Sequence, residues 1–262
     1  MRIALGIEYD GAPFCGWQSQ PSGCGVQDHV ERAIASFVAG DAFIGVTCAG
    51  RTDAGVHALE QVVHFDVDAD RAEMAWVRGV NRFLPDAIRV LWMHPVPDTF
   101  HARFSARSRS YQYLLLADRT EPALLHARAG WFHQLLDVNA MRAAARILEG
   151  EHDFSAFRSA ECQAKSPVKT IHTIAITEPS PFIRFDLRAN AFLHHMVRNI
   201  VGALVYVGAG RLTLDQFAAV LASRDRRHAP PTFAASGLYL SGIEYDASFA
   251  LPQRAPRAPW LN

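Results

Sequence analysis

The sequence predicts an α+β chain of two similar halves, each an antiparallel sheet backed by helices. Three observations carry that prediction. Strand-type and helix-type periodicities occur in the order β-α-β-β-α-β, the same order then occurs again, and half of the 262 residues are hydrophobic, enough to bury a core in each half.

In the first half, Arg2–Tyr9 reads as a strand, and Val26, Val30, Ala33, Ile34 and Phe37 share one helical face. Phe43–Cys48 is a short apolar strand. Gln61–Val67 alternates, with Val63, Phe65 and Val67 on one side. Met74, Val77, Val80 and Leu84 suit a second helix ended by Pro85, and Ile88, Val90 and Trp92 mark a closing strand.

In the second half, Ser110–Leu116 is a strand, and Val138, Met141, Ala145 and Leu148 form a helical stripe. Thr170–Thr177 and Phe182–Arg188 read as strands joined by a Pro179-Ser180-Pro181 turn. Met196, Ile200, Ala203, Leu204 and Val207 make a helix that stops at Gly208-Ala209-Gly210. An added helix opens on a capping box of Thr213 and Gln216, and Leu238–Tyr245 is expected to close this second set. Two β-α-β-β-α-β units suggest two ferredoxin-like domains, 1–107 and 108–262, with a cleft between them as the natural place for a site. The units share a pattern and no sequence repeat. The proline-rich tail Pro252–Asn262 reads as an extended surface segment.

Composition narrows the function classes. Basic and acidic residues balance at 26 each, which argues against coating nucleic acid by bulk charge and is silent on local patches. Lys165 and Lys169 are the only lysines, so the other basic residues are arginines, the better side chains for bidentate phosphate contact. No apolar run approaches the roughly 20 residues that span a bilayer, and Met1 leads straight into a strand without an apolar leader. A soluble cytoplasmic protein is expected. Cys15, Cys24, Cys48 and Cys162 show no zinc-type spacing and are expected to be reduced, inert core thiols. There is no Walker loop and no Rossmann glycine motif.

Four segments can carry chemistry. Gly50-Arg51-Thr52-Asp53-Ala54-Gly55-Val56-His57-Ala58 brackets an aspartate with small residues between two strands. Its glycines allow backbone angles closed to other residues, so the loop can present Asp53 in a fixed pose, with Arg51 pairing the carboxylate. An ordinary polar turn has the same composition. The opening Tyr9–Gln20 crowds aromatics and amides into a turn, suited to gripping RNA or to packing Phe14 and Trp17 onto the core. His101–Tyr113 interleaves arginines with aromatics, as a phosphate track beside a stacking platform would; Arg224, Arg226, Arg227 and His228 form a second basic cluster suited to phosphate or to a helix end. Finally, Ala191–Gly202 places His194, His195 and Arg198 at a helix start. Adjacent helical residues point about a third of a turn apart, so the two histidines are not expected to share a metal ion.

Together these segments resemble the TruA family of tRNA pseudouridine synthases, over nearly the whole chain. The resemblance rests on the YDG-x-x-F-x-GWQ-x-Q opening, the GRTDAGVHA loop, Leu84-Pro85-Asp86, the FHARF-S-A stretch, Gly150–Phe154, the N-A-F-L-H-H-M-V-R-N-I-V-G helix and Gly237–Leu240. It implies two ferredoxin-like domains, a homodimer, isomerisation of uridines 38–40 in the tRNA anticodon stem-loop, and no cofactor or metal. The family's catalytic aspartate falls on Asp53, the tyrosine that packs on the uracil on Tyr111, and its two active-site arginines on Arg51 and Arg198. Leu238 is a candidate apolar wall, and Phe100, His101, Arg103, Phe104, Arg107, Arg109 and Lys165 are candidate tRNA contacts. Ser110 and Gln112 depart from the family, which often places basic residues around that tyrosine.

The chemistry agrees with these residue types. Turning uridine into pseudouridine cuts the C1′–N1 bond, rotates the base and joins C5 to C1′, with no redox change. Asp53 would act as a nucleophile or as the partner of a sugar intermediate, after the base has left its stack. Two other readings start from the same residues: a non-catalytic RRM-like RNA-binding protein, which lacks RNP1-type strand aromatics here, and a metal-dependent nuclease using Asp53, His57 and His64.

Overall fold

A computed structural model of the chain describes residues 1–38 and 44–253. Phe43, expected to open the second strand, and the tail from residue 254 lie outside the described residues. In chain order the elements begin β1 (Arg2–Tyr9), α1 (Val26–Val38), β2 (Thr47–Cys48), β3 (His57–Asp66), α2 (Glu73–Asn81) and β4 (Ile88–Val96). They continue β5 (Ser108–Ala117), β6 (Gly130–Phe132), α3 (Val138–Arg146), β7 (Gly150–Asp153), β8 (Val168–Thr177) and β9 (Ile183–Ala189). The last are α4 (Met196–Gly208), α5 (Leu214–Ser223) and β10 (Leu238–Glu244).

The chain divides into two units, one of Met1–Arg107 plus the segment from Tyr239 onward, the other of Ser108–Leu238. This corrects the expected second domain of residues 108–262. The final strand does not stay with the half that precedes it in sequence: Tyr239 and Leu240 pair in parallel with His57 and Ala58 of β3.

In the first unit β3 lies between β1 and β10, β4 lies on the far side of β1, and β2 pairs with β3. Both faces of this sheet are covered, which is why β1 reads as a continuous apolar run rather than an alternation. On one face Ile3 sits opposite Phe65, whose ring lies 5.8 Å from Trp76 of α2; Phe37 of α1 meets the same indole at 5.0 Å. On the other face Trp92 packs against Gly6, where a Cβ would stand 2.2 Å from the indole. Ala4, Val62, Phe100 and Ala102 join that cluster, with Tyr245 and Phe249 packed on Phe100 at 5.1 and 5.0 Å. Phe100 is completely buried, so it is a core residue, and its expected role as a tRNA contact is withdrawn.

In the second unit β5, β9, β8 and β7 follow one another antiparallel, and β6 pairs in parallel with β5. β6 and β7 were not predicted, because three or four residues are too few to show alternation. Tyr111, Tyr113, Phe185, Leu187, Ile174 and Ile176 are buried. The intervening Gln112, Arg184 and Asp186 are polar and partly exposed, joined by Gln112 Nε2 to Asp186 (2.8 Å) and Arg184 Nε to Asp186 (2.9 Å). That pair of faces is the sequence alternation made physical. α4 is buried nearly all round, whereas α5 buries only Phe217, Val220 and Leu221 and opens on the expected capping box. The box satisfies two helix-end N–H groups, a contribution of about 1 kcal/mol.

Candidate active site

Asp53 is half-buried in the turn that enters β3, where its carbonyl accepts the Val56 N–H at 3.1 Å. The residue before it is anchored through both its side chain and its carbonyl. Thr52 is buried, its hydroxyl lies 2.8 Å from the Tyr9 hydroxyl at the end of β1, and its carbonyl accepts the Trp17 N–H at 3.0 Å. Gly16 lies against the same peptide with φ of +94°, and a Cβ there would stand 2.8 Å from the Thr52 carbonyl oxygen. A side chain at residue 16 would therefore both strain the backbone and push the aspartate turn away. Fully buried Gln61 donates from Nε2 to the Gly50 carbonyl at 2.5 Å, and His57 Nδ1 accepts the Gly11 N–H at 3.1 Å while its ring stacks on Tyr239. Both ends of the aspartate loop are thus fastened to the first unit.

These contacts settle two expectations. Phe14 and Trp17 are buried, so the opening loop packs onto the core and braces the aspartate turn rather than offering aromatics to RNA. Arg51 is exposed, and among the described residues no ion pair or hydrogen bond joins it to Asp53, contrary to the expected pairing. The nuclease reading also fails: His57 and His64 each spend Nδ1 on a backbone N–H, and among the described residues they form no ligand cluster with Asp53.

Cys15 and Cys24 are joined in a disulfide, with Cα atoms 5.5 Å apart, which corrects the expectation of reduced thiols. The turn itself brings them together, since Cys15 N–H donates to the Cys24 carbonyl and Val26 N–H to the Gly16 carbonyl. Burial pushes the Cys48 thiol up to about 12, so it is no nucleophile.

The stretch after β4 presents charge and an aromatic ring. His101 Nδ1 accepts the N–H groups of Arg103 and Phe104, both at 3.2 Å, and its ring lies 4.3 Å from that of Phe104. Phe104 is 76% exposed, with the Arg103 guanidinium 5.6 Å from its centroid. An exposed ring next to a cation suits stacking on a base beside its phosphate. Arg107 is partly spent, being paired with Asp246.

His64 anchors this stretch through its Nδ1, which accepts the Ala102 N–H at 3.1 Å. Burial, then the charges of His101 and Arg2, push His64 down from 6.5 to about 4. The unfolded chain therefore binds a proton that the folded chain refuses, and the stability contributed by neutral His64 is present above pH 6.5 and lost as pH falls toward 4. His64→Asn should flatten the melting temperature across that window relative to the parent chain. An unchanged slope would show that His64 does not control it.

In the second unit Tyr111 is buried on β5, opposite Leu187 of β9, with its ring edge-on to Phe192 at 5.0 Å. Tyr113, two residues on, is wholly buried and donates its hydroxyl to the Ala234 carbonyl at 2.9 Å, the structural tyrosine of the pair. Arg198 on α4 donates from Nε to the Phe233 carbonyl at 2.9 Å. That carbonyl belongs to a strap, 229–233, drawn tightly over α4: at Gly202 a Cβ would stand 2.4 Å from the Pro231 carbonyl. Arg226 holds the strap, donating to the carbonyls of Ala229 and Pro230 and to Asn199 Oδ1, while completely buried Asn199 donates to the Phe157 carbonyl. Arg224 and Arg227 face Asp153 and Asp225. The second basic cluster is therefore largely paired within the chain. The sequence did not single out Tyr9, Thr52 or Asn199, and only the Y-D-G spacing and a polar residue inside an apolar helix hinted at them; Arg226 stood out only as one of a basic cluster.

The remaining expected residues scatter. Leu238 is buried at the start of β10, Arg109 donates to the Asn190 carbonyl at 3.1 Å, and Lys165 is exposed on the loop before β8. Gln112 donates from Nε2 to the Asp186 carboxylate at 2.8 Å. His194 and His195 are not successive helical residues: His195 is left-handed, with φ of 62°, so the two rings come to 4.1 Å of each other. The helical offset expected to keep them apart is absent.

The class of protein to which the Asp53 turn and the two α+β units belong, an RNA-modifying isomerase, is given by the relatives of the chain. The family model described as tRNA pseudouridine synthase matches residues 6–105 and 144–246. The tRNA pseudouridine synthase A of Burkholderia thailandensis is 59% identical over 263 residues, covering 100% of this chain and 97% of that protein. Its namesake from Bordetella parapertussis is 58% identical over 252 residues, covering 96% and 93%. The chain belongs to the tRNA pseudouridine synthase family, whose members isomerise uridine to pseudouridine in tRNA. Among the described residues no helix is long and apolar enough to cross a membrane.

Proposed function

We propose that this chain isomerises uridines 38–40 in the tRNA anticodon stem-loop, with Asp53 as the nucleophile that makes the covalent contact. What supports this reading above all is the aspartate turn, held at Thr52, Gly50 and Val56 and lying within the family match. A carboxylate that must meet one carbon of a flipped nucleotide benefits from a backbone that is already in position. Tyr111 takes the uracil ring, Leu238 forms an apolar wall, and Arg51 and Arg198 serve the nucleotide around Asp53. His101, Arg103, Phe104, Arg107, Arg109 and Lys165 contact tRNA, with Arg103 and Phe104 favoured by exposure. The chain acts as a homodimer in the cytoplasm and uses no cofactor.

Incubation with unmodified tRNA, followed by mapping of pseudouridine by base, tests the reaction and its location together. Pseudouridine at 38–40 is expected; pseudouridine only elsewhere would move the site, and none would remove the proposal. Sedimentation at micromolar concentration tests the dimer.

Arg103→Ala should weaken tRNA binding and lower the salt slope by about one unit, the value for one phosphate that is no longer neutralised. Arg107→Ala should do less, because Asp246 already neutralises it. Equal effects would mean that the Asp246 pair opens on binding.

A further inference from the structure

We propose that Tyr9 is a positioning residue for the reaction, acting through Thr52 to aim Asp53; this rests on the reading of Asp53 as nucleophile. Tyr9 ends β1, a strand paired on both sides, and is 3% exposed, so its ring belongs to the rigid body of the first unit. Its hydroxyl lies 2.8 Å from Thr52 Oγ1, and Thr52 is itself 7% exposed. A phenylalanine would fill the same space. Burying two hydroxyls is costly unless they are bonded, so the pair has to be explained by what it holds.

What it holds is the residue next to Asp53. The Thr52 side chain is tied to β1 through Tyr9, and the Thr52 carbonyl to the opening loop through the Trp17 N–H at 3.0 Å. Just beyond, the Asp53 carbonyl is fixed by the Val56 N–H at 3.1 Å. With those anchors the peptide between residues 52 and 53 has little freedom to rotate, and the direction in which the Asp53 side chain leaves the backbone follows. Releasing the Thr52 side chain frees one anchor and lets that direction wander, without touching any group that meets the nucleotide. The loss belongs in the chemical step, where a misplacement of the order of 1 Å costs about 100-fold, and not in tRNA binding.

The test compares Tyr9→Phe, Thr52→Val, the double variant and Thr52→Ser by single-substrate kinetics on tRNA, with melting temperatures alongside. Tyr9→Phe and Thr52→Val are each expected to lower kcat about 10- to 100-fold at unchanged KM. The double variant should be no slower than the worse single, because each single already breaks the Tyr9–Thr52 bond, and Thr52→Ser, which keeps the hydroxyl, should recover most of the rate. Independent, multiplying losses, a change confined to KM, wild-type kcat in Tyr9→Phe, or a kcat that merely tracks melting temperature across the set would each overturn the inference. Asp53→Asn run in parallel separates the two levels. If it is inactive while Tyr9→Phe is fully active, only the positioning role falls; if it is active, the nucleophile reading beneath it falls.

Discussion

Asp53→Asn is expected to bind tRNA as the parent chain does and to form no measurable pseudouridine, a loss of about 10⁴-fold or more. The substitution is nearly isosteric. Contacts from Thr52, Gly16, Gln61 and the backbone of residues 53 and 56 hold the turn, and the substitution removes none of these. The exposed groups expected to reach the stem-loop, Arg103 and Phe104 among them, are equally untouched. What disappears is the negative charge and the oxygen able to form a covalent bond. A loss of that size with intact binding places the effect in the chemical step, because an interaction made in both bound and transition states would appear in KM. Pseudouridine yield comparable to the parent chain would withdraw the nucleophile assignment.

The second large effect concerns Tyr111, where ring and hydroxyl can be separated. Tyr111→Phe keeps the edge-on contact with Phe192 and the burial on β5, so stability and tRNA binding should change little. If the hydroxyl helps to remove the C5 proton, the rate should fall about 10²- to 10⁴-fold. Tyr111→Leu also removes the stacking surface, a contribution of about 1–3 kcal/mol per base. A slow Phe variant with normal binding assigns the hydroxyl to chemistry; a fast Phe variant with a failing Leu variant assigns the ring. If both turn over normally and only melt earlier, Tyr111 is a core residue like Tyr113, whose hydroxyl is bonded to Ala234.

Much of this was legible in the chain because local periodicity reports local burial. The alternation at Gln61–Val67 and Phe182–Arg188, the stripe beginning at Val26 and the capping box at Thr213 each need only neighbours within a few residues. All four appear as elements close to their expected places. The GRTDAGVHA motif was legible for another reason. Its composition is that of an ordinary polar turn, and only the ordered run of nine residues carries the family resemblance.

Other features depended on partners far along the chain. Phe100 sits beside candidate contacts in sequence, yet its ring is enclosed by Tyr245 and Phe249, about 145 residues away, so proximity to His101 and Arg103 said nothing about exposure. Arg226 was one of four basic residues that suited phosphate or a helix end equally, and only the strap over Gly202 gave its guanidinium carbonyls to hold. His195 left the helix because one left-handed residue ends the periodicity that His194 was expected to share.

Short-range spacing and residue type were enough to define the helices and the longer strands in their order, the aspartate turn and the family resemblance. Long-range packing was needed to return the strand from Tyr239 to the first unit and to set the Tyr9 hydroxyl against Thr52. Those outcomes turn on which backbone segments lie within a few ångströms of one another. That is set by how whole sheets, helices and loops pack, and no local pattern of residues encodes it.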